Sequence, residues 1–142
     1  MIVGTYHSTN TKYGTSDDIF FNQIGLAIDF YSKYDKFLLA GDFNVNVFEE
    51  NDILDDFLDE FHAKNLVKDS TCFKNPDNPS CIDLFITNSY RSFHKTTTVT
   101  TGLSDFHKMT VTVLKTTFPK ADPRMITYRD YSSHIGQDWK MI

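Results

Sequence analysis

The sequence has few features of a secreted, membrane-spanning or zinc-binding protein. Its two cysteines, Cys72 and Cys81, belong to no CxxC pair and no Cys/His cluster, which excludes the usual structural zinc sites. No run of eighteen apolar residues occurs, so no transmembrane helix is expected. Residues 1–4 lead directly into strand-like sequence, without the basic and apolar regions of a signal peptide. We therefore expect an intracellular protein, nuclear or cytoplasmic, with free thiols; a disulfide between adjacent strands is the alternative.

Positive charge is scarce in the first half of the chain, which has no arginine. Residues 1–70 carry five lysines against thirteen acids, a net charge of −8, whereas residues 71–142 carry +3. The total of −5 argues against a general nucleic-acid coat protein, which would be basic. Much of the acidity lies between Glu49 and Glu60 and is interpreted as a solvated helix face. The later basic residues remain available for local contacts with phosphates.

The chain does have enough apolar material for one domain, since 40% of its 142 residues are hydrophobic and thirteen are phenylalanine. Hydrophobic periodicity predicts helices and strands in a definite order. The predicted elements are strand 2–6, helix 17–33, strand 37–41, helix 51–64, and strands 66–73, 81–87, 96–101 and 109–118. Residues 119–142 show no clear period and are interpreted as a linker or tail. This order predicts an α/β fold of the α+β sandwich type, with a mixed sheet and helices on one face.

A short apolar strand ending in polar residues is the first candidate for a site. Residues 37–40 are apolar, Gly41 follows, and Asp42 and Asn44 flank Phe43. In extended chain, residues two apart point the same way, so Asp42 and Asn44 would share one face, able to polarise a water and bind an anion. The alternative is a turn rich in Asp and Asn, which both favour turns.

A second candidate combines Asp83 with a later loop. Asp83 interrupts an apolar strand, where a carboxylate is costly without a partner. His107 is a candidate partner, because an Asp–His pair fixes the imidazole tautomer and lets the charged ring hold a phosphate oxygen. Asp105 in the same loop offers an oxygen ligand for a divalent cation. The alternatives are an aspartate satisfied by backbone amides and a loop of ordinary turn-forming residues.

Three motifs, in this order and spacing, resemble the endonuclease/exonuclease/phosphatase superfamily. They are GDFN at 41–44, SCID at 80–83 and LSDFH at 103–107. Longer stretches resemble the endonuclease domain of non-LTR (LINE-type) retrotransposons, namely CFKNP at 72–76, SCIDLFITNS at 80–89 and TGLSDFHKM at 101–109. The segment YRDY at 128–131 resembles the connector that precedes the reverse transcriptase in those elements. The resemblance covers nearly the whole chain.

The resemblance implies a hydrolytic site for phosphodiesters of DNA that uses Mg²⁺ or Mn²⁺. Asp42 matches the aspartate that orients or deprotonates the attacking water and lies near the metal, and Asn44 matches the amide that steadies this water and the phosphate. Asp83 matches the acid that pairs with the motif histidine. His107 matches that histidine, which stabilises charge on the phosphoryl oxygens. Tyr6 matches a tyrosine that ends an early strand and reaches the phosphate.

Three further residues are carried over with smaller roles. Asp105 matches an acid beside the metal. Thr71 is similar to a hydroxyl of the nucleic-acid contact surface, and Ser104 belongs to the loop that contacts the phosphate. The resemblance thus implies that residues 1–118 are the C-terminal part of a partial four-layer endonuclease/exonuclease/phosphatase sandwich. Residues 119–142 would lead toward a reverse transcriptase.

Two departures from the family pattern bear on activity. Phe106 separates Asp105 from His107, where the usual motif is Ser-Asp-His, so a bulge is expected to re-aim the histidine. The Asn and the metal-binding Glu that the family places earlier have no counterpart here. We therefore expect a fragment with little or no activity as a free chain and an apolar sheet face prone to self-association. The alternatives are a non-enzymatic relic or binding module with the same fold, and another phosphoesterase of the superfamily.

Overall fold

The computed structural model describes residues 1–8, 15–31, 35–116, 127–129 and 139–141. Within these ranges the chain forms two α-helices, one four-stranded mixed sheet and two short strand pairs. The helices are α1 (Asp17–Phe30) and α2 (Asp52–Glu60). The strands are β1 (Ile2–Tyr6), β2 (Leu38–Asp42), β3 (Lys64–Asn65), β4 (Asp83–Thr87), β5 (Thr97–Val99), β6 (Met109–Val111), β7 (Thr127–Arg129) and β8 (Trp139–Met141). The prediction of a mixed fold of helices and strands is confirmed.

The central sheet has the strand order β1-β2-β4-β3. Strands β1 and β2 are parallel, and parallel neighbours need a crossover connection, which α1 supplies. Strand β4 runs antiparallel to both β2 and β3. The remaining strands form two antiparallel pairs, β5 with β6 and β7 with β8.

One face of the central sheet and both helices share a single hydrophobic core. Leu39 of β2 lies opposite Ile86 of β4, and Leu84 shares their face because it is two residues away. The helices add Phe20, Phe21, Leu54 and Phe57 to the same buried cluster. Gly25 of α1 permits close approach of the helices, since an added Cβ there would lie 3.2 Å from the ring of Phe61.

The opposite face of the central sheet is only partly covered by the described residues. Along β1, which is an edge strand, Ile2 is 80% exposed and Tyr6 is 68% exposed. Beside Ile2 lies an open groove of about 820 Å³, to which Leu38, Phe93 and Leu114 contribute apolar surface. Site residues on this face are therefore within reach of a ligand from solvent.

Both helices end earlier than the sequence predicted. Helix α1 ends at Phe30, and residues 32–33 of the predicted helix lie outside the described residues. Helix α2 begins after Asn51, whose side chain accepts the N–H of Leu54, and it ends at Glu60. The end is set by His62, which adopts a left-handed φ of 48°. Glycine usually occupies such a position, so this helix end had no sequence signal.

The predicted strand 66–73 is wrong in position and length. Paired structure occurs earlier, at β3, and the chain then leaves the ladder. The side chain of Asn65 binds both the N–H and the C=O of Val67 at 3.1 and 2.8 Å, so it takes over hydrogen bonds that a continuing strand would use. Near the end of the predicted strand, Cys72 forms isolated bridges with Ser80 and with His107.

The later strands are shorter than predicted, and the tail contains regular structure. Strand β4 starts two residues late, β5 occupies three of the six predicted residues, and β6 ends at Val111; residues 117–118 lie outside the described residues. Inside 119–142, which was interpreted as a linker or tail, β7 and β8 form an antiparallel pair. Their pairing partners are ten or more residues apart in sequence, so a local period could not reveal them.

The cysteines agree with the expectation of free thiols. Cys72 and Cys81 are both buried, and neither forms a disulfide. Burial raises the pKa of the Cys81 thiol to about 11, so this group is uncharged at neutral pH. Among the described residues, no helix has the length and apolar character needed to cross a membrane.

Gly41 lies where the backbone of β2 comes close to the backbone of β1. Adding one methyl group at this position is therefore expected to destabilise the fold. A Cβ at Gly41 would lie 1.8 Å from the backbone oxygen of Thr5. We expect Gly41→Ala to lower the free energy of unfolding by about 2–4 kcal/mol, because backbone must shift to remove the overlap. Gly4→Ala is the matched control, since nothing lies within 4 Å of its added Cβ. Urea unfolding of both variants tests this, and equal stability would contradict it.

Candidate functional site

Three of the predicted site residues form one row across three neighbouring strands. The β1–β2 register places Tyr6 beside Asp42, and the β2–β4 register places Asp42 opposite Asp83. Residues directly opposite each other in a sheet point to the same face. Tyr6 and Asp42 are the last residues of their strands, and Asp83 is the first residue of β4. The row therefore crosses the sheet where these three strands end, on the partly covered face.

The two carboxylates are held at the closest spacing that a sheet allows. The N–H of Phe43 donates to the carbonyl oxygen of Ile82 at 2.8 Å, which makes Asp42 and Asp83 a non-hydrogen-bonded pair of the antiparallel ladder. Side chains are nearest to each other at such pairs. Like charges in this arrangement repel and destabilise the sheet, so this pair is present at a cost in stability.

His107 extends the row beyond Asp83. Its Nδ1 lies 3.4 Å from Oδ2 of Asp83, and both side chains keep more than a quarter of their surface exposed. The predicted contact between these two residues is therefore present. The other ring nitrogen, Nε2, lies 3.7 Å from Sγ of Cys72. The imidazole thus lies between a carboxylate and a thiol while remaining accessible from solvent.

No bulge is needed to aim His107 across the inserted Phe106. The backbone around His107 pairs regularly with the backbone around Cys72: the N–H of Phe73 donates to Phe106 at 2.7 Å, and the N–H of Lys108 donates to Thr71 at 2.9 Å. In this pairing Phe106 points outward and is 52% exposed, while His107 turns toward Asp83. In place of the expected bulge, the chain bends at Asp105 and Phe106 and then forms a single bridge between His107 and Cys72.

Asp42 and Asn44 form the turn that was the alternative interpretation of their motif. Oδ1 of Asp42 accepts the N–H of Asn44 at 2.9 Å, which is an Asx turn. Asn44 adopts a left-handed φ of 50°, which asparagine tolerates better than most residues. Its side-chain Nδ2 donates to the carbonyl oxygen of His7 at 2.5 Å. Asn44 therefore does not simply share a face with Asp42, and part of its amide is already engaged by the protein.

The surroundings of Asp42 disfavour its charged form. Burial raises the pKa of this carboxyl above its ordinary value of 3.8, and the negative charge of Asp83 raises the pKa further. The N–H of Asn44 and the nearby positive charges of His107 and Lys74 act in the opposite direction. The net increase means that a cation bound at this carboxylate would relieve an unfavourable charge.

A small open cleft of about 210 Å³ lies over the row and brings a basic residue to it. Its lining includes Asp42, Asp83 and Lys108. The Nζ of Lys108 is 4.1 Å from the centre of the ring of Phe73, a cation–π contact that fixes the lysine. Two carboxylates and an ammonium group around one cleft, with the imidazole of His107 in contact with Asp83, can orient a water and hold an anionic oxygen.

The metal ligands implied by the resemblance are only partly assembled. Among the residues that the structure describes, no group of three or more His, Cys, Asp or Glu side chains is arranged to hold a metal ion. Asp42 and Asp83 form a pair, whereas Asp105 is exposed in its loop. Mg²⁺ keeps several waters and is commonly held by one or two carboxylates together with substrate phosphates. The pair fits that minimal requirement, and the repulsion between the carboxylates is the observation that favours a cation there.

Two residues that were assigned to DNA contact have structural roles instead. Thr71 is fully buried, and its hydroxyl oxygen accepts the N–H groups of Ile82 and Asp83, both at 3.1 Å. It supports the start of β4 and has no exposed surface for a nucleic acid. Ser104 is exposed, but its hydroxyl oxygen accepts the N–H of His107 at 3.1 Å, so it helps to turn the chain toward Asp83.

Sequence reasoning missed His7, which was assigned to a loop. This side chain is 1% exposed and contacts the backbone next to both Asp42 and Asn44. A single histidine following a strand carries no periodic or spacing signal. Its position directly after Tyr6 was the one available indication that it lies near the row.

Comparison of the chain with protein-family models and with curated proteins found no match.

The raised pKa of Asp42 predicts the pH dependence of a stability change. An acid with a higher pKa in the folded state binds more protons when folded, so its contribution to stability falls as the pH rises through that pKa. We expect Asp42→Asn to be more stable than the wild type at pH 7 and to lose this advantage below pH 3.8. The amide keeps the oxygen that accepts the N–H of Asn44.

Urea unfolding at pH 7 and pH 3 measures this difference. Asp77→Asn, in an exposed turn, is the matched control and should change little at either pH. A variant of Asp42 that is less stable than the wild type at pH 7 would show that the charged carboxylate is stabilised in the fold. That result would contradict the conclusion that burial and the charge of Asp83 disfavour it.

Proposed function

We propose that the chain carries the hydrolytic site of a Mg²⁺-dependent DNA endonuclease of the retrotransposon type, weak or inactive as a free chain. The observation that supports this most directly is the row of Tyr6, Asp42 and Asp83, extended by His107. These residues are far apart in sequence and lie together at one edge of the sheet. They are also the residues that the motif resemblance assigns to cleavage of a phosphodiester.

The chemistry proposed is displacement at phosphorus by water. Asp42 orients the water and accepts one of its protons as the new P–O bond forms, and the bond to the leaving sugar oxygen breaks on the opposite side. His107, held by Asp83, donates hydrogen bonds to the phosphoryl oxygens, where negative charge increases in the transition state. Lys108 adds an ammonium group to the cleft, and Tyr6 adds a hydroxyl from the strand beside Asp42.

Mg²⁺ or Mn²⁺ is the cofactor of this proposal, and Asp42 with Asp83 would hold it. When bound, the ion supplies positive charge to the phosphate and lowers the pKa of a bound water. Asp105 belongs to the proposed site only if its loop moves closer to the pair. A set of two carboxylates supports weak binding, which is why little activity is expected from the chain by itself.

The proposed fold context is the endonuclease/exonuclease/phosphatase sandwich. In this proposal residues 1–118 form part of the domain and residues 119–142 connect it toward a reverse transcriptase. The exposed Ile2 and Tyr6 and the groove beside them support it, because a sandwich covers this face with a second sheet. The same exposed surface would favour self-association of the chain.

A second candidate is a binding module that keeps the fold without chemistry. One observation favours it: Nε2 of His107, the ring nitrogen not in contact with Asp83, lies 3.7 Å from Sγ of Cys72. In that case the basic residues near the cleft would contact a phosphate backbone without cleaving it. Another phosphoesterase of the superfamily is a third candidate, and the retrotransposon-like motifs make it less favoured.

Hydrolysis of an activated diester distinguishes these candidates. Bis(p-nitrophenyl) phosphate has a good leaving group, so we expect slow hydrolysis that requires Mg²⁺ or Mn²⁺, while supercoiled plasmid is nicked little or not at all. Asp42→Ala and His107→Ala should each reduce the rate at least about 100-fold, the size expected for loss of acid–base or charge-stabilising groups. Asp77→Ala is the matched control and should keep the wild-type rate.

Three results would contradict the proposal in different ways. Hydrolysis that persists in Asp42→Ala would mean that another site or a contaminant is responsible. No metal-dependent hydrolysis of the activated diester, combined with phosphodiester binding that is unchanged in Asp42→Ala and His107→Ala, would favour the binding module. Rapid nicking of plasmid that is lost in Asp42→Ala would support the site but refute the expectation of weak activity.

A further inference from the structure

His7 makes contacts with all three residues of the Asp42–Asn44 turn. Its backbone N–H donates to the carbonyl oxygen of Asp42 at 2.8 Å, and its own carbonyl oxygen accepts Nδ2 of Asn44 at 2.5 Å. Between these, Nδ1 of its ring lies 2.9 Å from the carbonyl oxygen of Phe43. The backbone contacts are available to any residue, whereas the contact to Phe43 depends on the imidazole.

The ring itself is fixed from the other side by the start of α1. Its Nε2 lies 2.8 Å from the carbonyl oxygen of Thr15, and the ring stacks on Phe20 with 4.2 Å between centroids. The carboxylate of Asp17 is 3.7 Å from Nδ1. His7 therefore joins the first turn of α1 to the turn that carries Asp42 and Asn44.

The oxygen partners restrict which ring nitrogen carries hydrogen. A carbonyl oxygen accepts but cannot donate, so the ring must donate from Nδ1 to hold Phe43. A neutral imidazole donates from one nitrogen, and a protonated one donates from both. The tautomer with hydrogen on Nδ1 alone donates to the carbonyl oxygen of Phe43 and leaves the carbonyl oxygen of Thr15 without a donor. The other tautomer donates to Thr15 and loses the hydrogen bond to Phe43.

We propose that His7 is a positioning residue that fixes the Asp42–Asn44 turn through hydrogen on Nδ1 donated to the carbonyl of Phe43. This inference extends the proposed function, because that turn carries two of the proposed site residues. The contact limits rotation of the peptide between Phe43 and Asn44. That peptide supplies the Asn44 N–H to Oδ1 of Asp42, so His7 acts on the carboxylate without touching it.

Two substitutions separate the two ring nitrogens. The amide nitrogen of asparagine is as many bonds from Cα as Nδ1, and that of glutamine as many as Nε2. His7→Asn therefore retains a donor toward Phe43, while His7→Gln retains one toward Thr15. His7→Phe keeps an aromatic ring for stacking on Phe20 and removes both donors. Phe20→Leu is the matched packing control, because it removes the stacking and leaves the polar contacts of His7.

NMR of the full chain reads out the turn without relying on activity. In His7→Gln and His7→Phe we expect hydrogen exchange at the Asn44 amide to be at least about tenfold faster. His7→Asn should remain close to the wild type in this measurement. Phe20→Leu should lower the melting temperature without a selective change at Asn44.

The outcome decides between positioning and simple packing. If all three His7 variants lose stability to a similar degree and Asn44 exchange follows global unfolding, the proposal is wrong. It is also wrong if ring ¹⁵N shifts place no hydrogen on Nδ1. If His7→Phe does not fold, the difference in Asn44 hydrogen exchange between His7→Asn and His7→Gln still tests the proposal. Diester hydrolysis is measured separately, so these NMR results judge the role of His7 whether or not the chain is active.

Discussion

The antiparallel register of β2 and β4 is the constraint on which the site depends. It places Asp42 opposite Asp83 as a non-hydrogen-bonded pair, and β1 adds Tyr6 to the same row. Burial of Asp42, together with the negative charge of Asp83 opposite it, raises the pKa of the Asp42 carboxyl. A slip of one residue between β2 and β4 would turn the carboxylate of the displaced strand to the core face.

The supports of the row come from segments that are distant in sequence. The hydroxyl oxygen of Thr71 accepts the N–H of Asp83 at the start of β4. The backbone of Cys72 pairs with the backbone of His107. On the other side His7 joins α1 to the Asp42 turn. The site is thus assembled where four connections of the fold meet, which is typical of residues positioned by a rigid scaffold.

The sequence predicted those features of the site that depend on the composition of short stretches of the chain. The strand that delivers Asp42 and the contact between Asp83 and His107 followed from apolar runs and from the cost of an isolated carboxylate. The register that pairs Asp42 with Asp83 did not, because it depends on partners that are far apart in sequence. The role of Thr71 and the helix end at His62 were missed for a related reason, because burial and backbone conformation decided them.

Paramagnetic broadening by Mn²⁺ tests most directly whether the row binds a metal with a phosphodiester. With the ¹⁵N-labelled chain, a dinucleotide and substoichiometric Mn²⁺, we expect amides at 41–43 and 82–84 to broaden first and Asp42→Asn to remove this effect. Helix α2, with its exposed acids, is the natural competitor for the ion. Broadening confined to α2, unchanged in the variant, would contradict metal binding by the row.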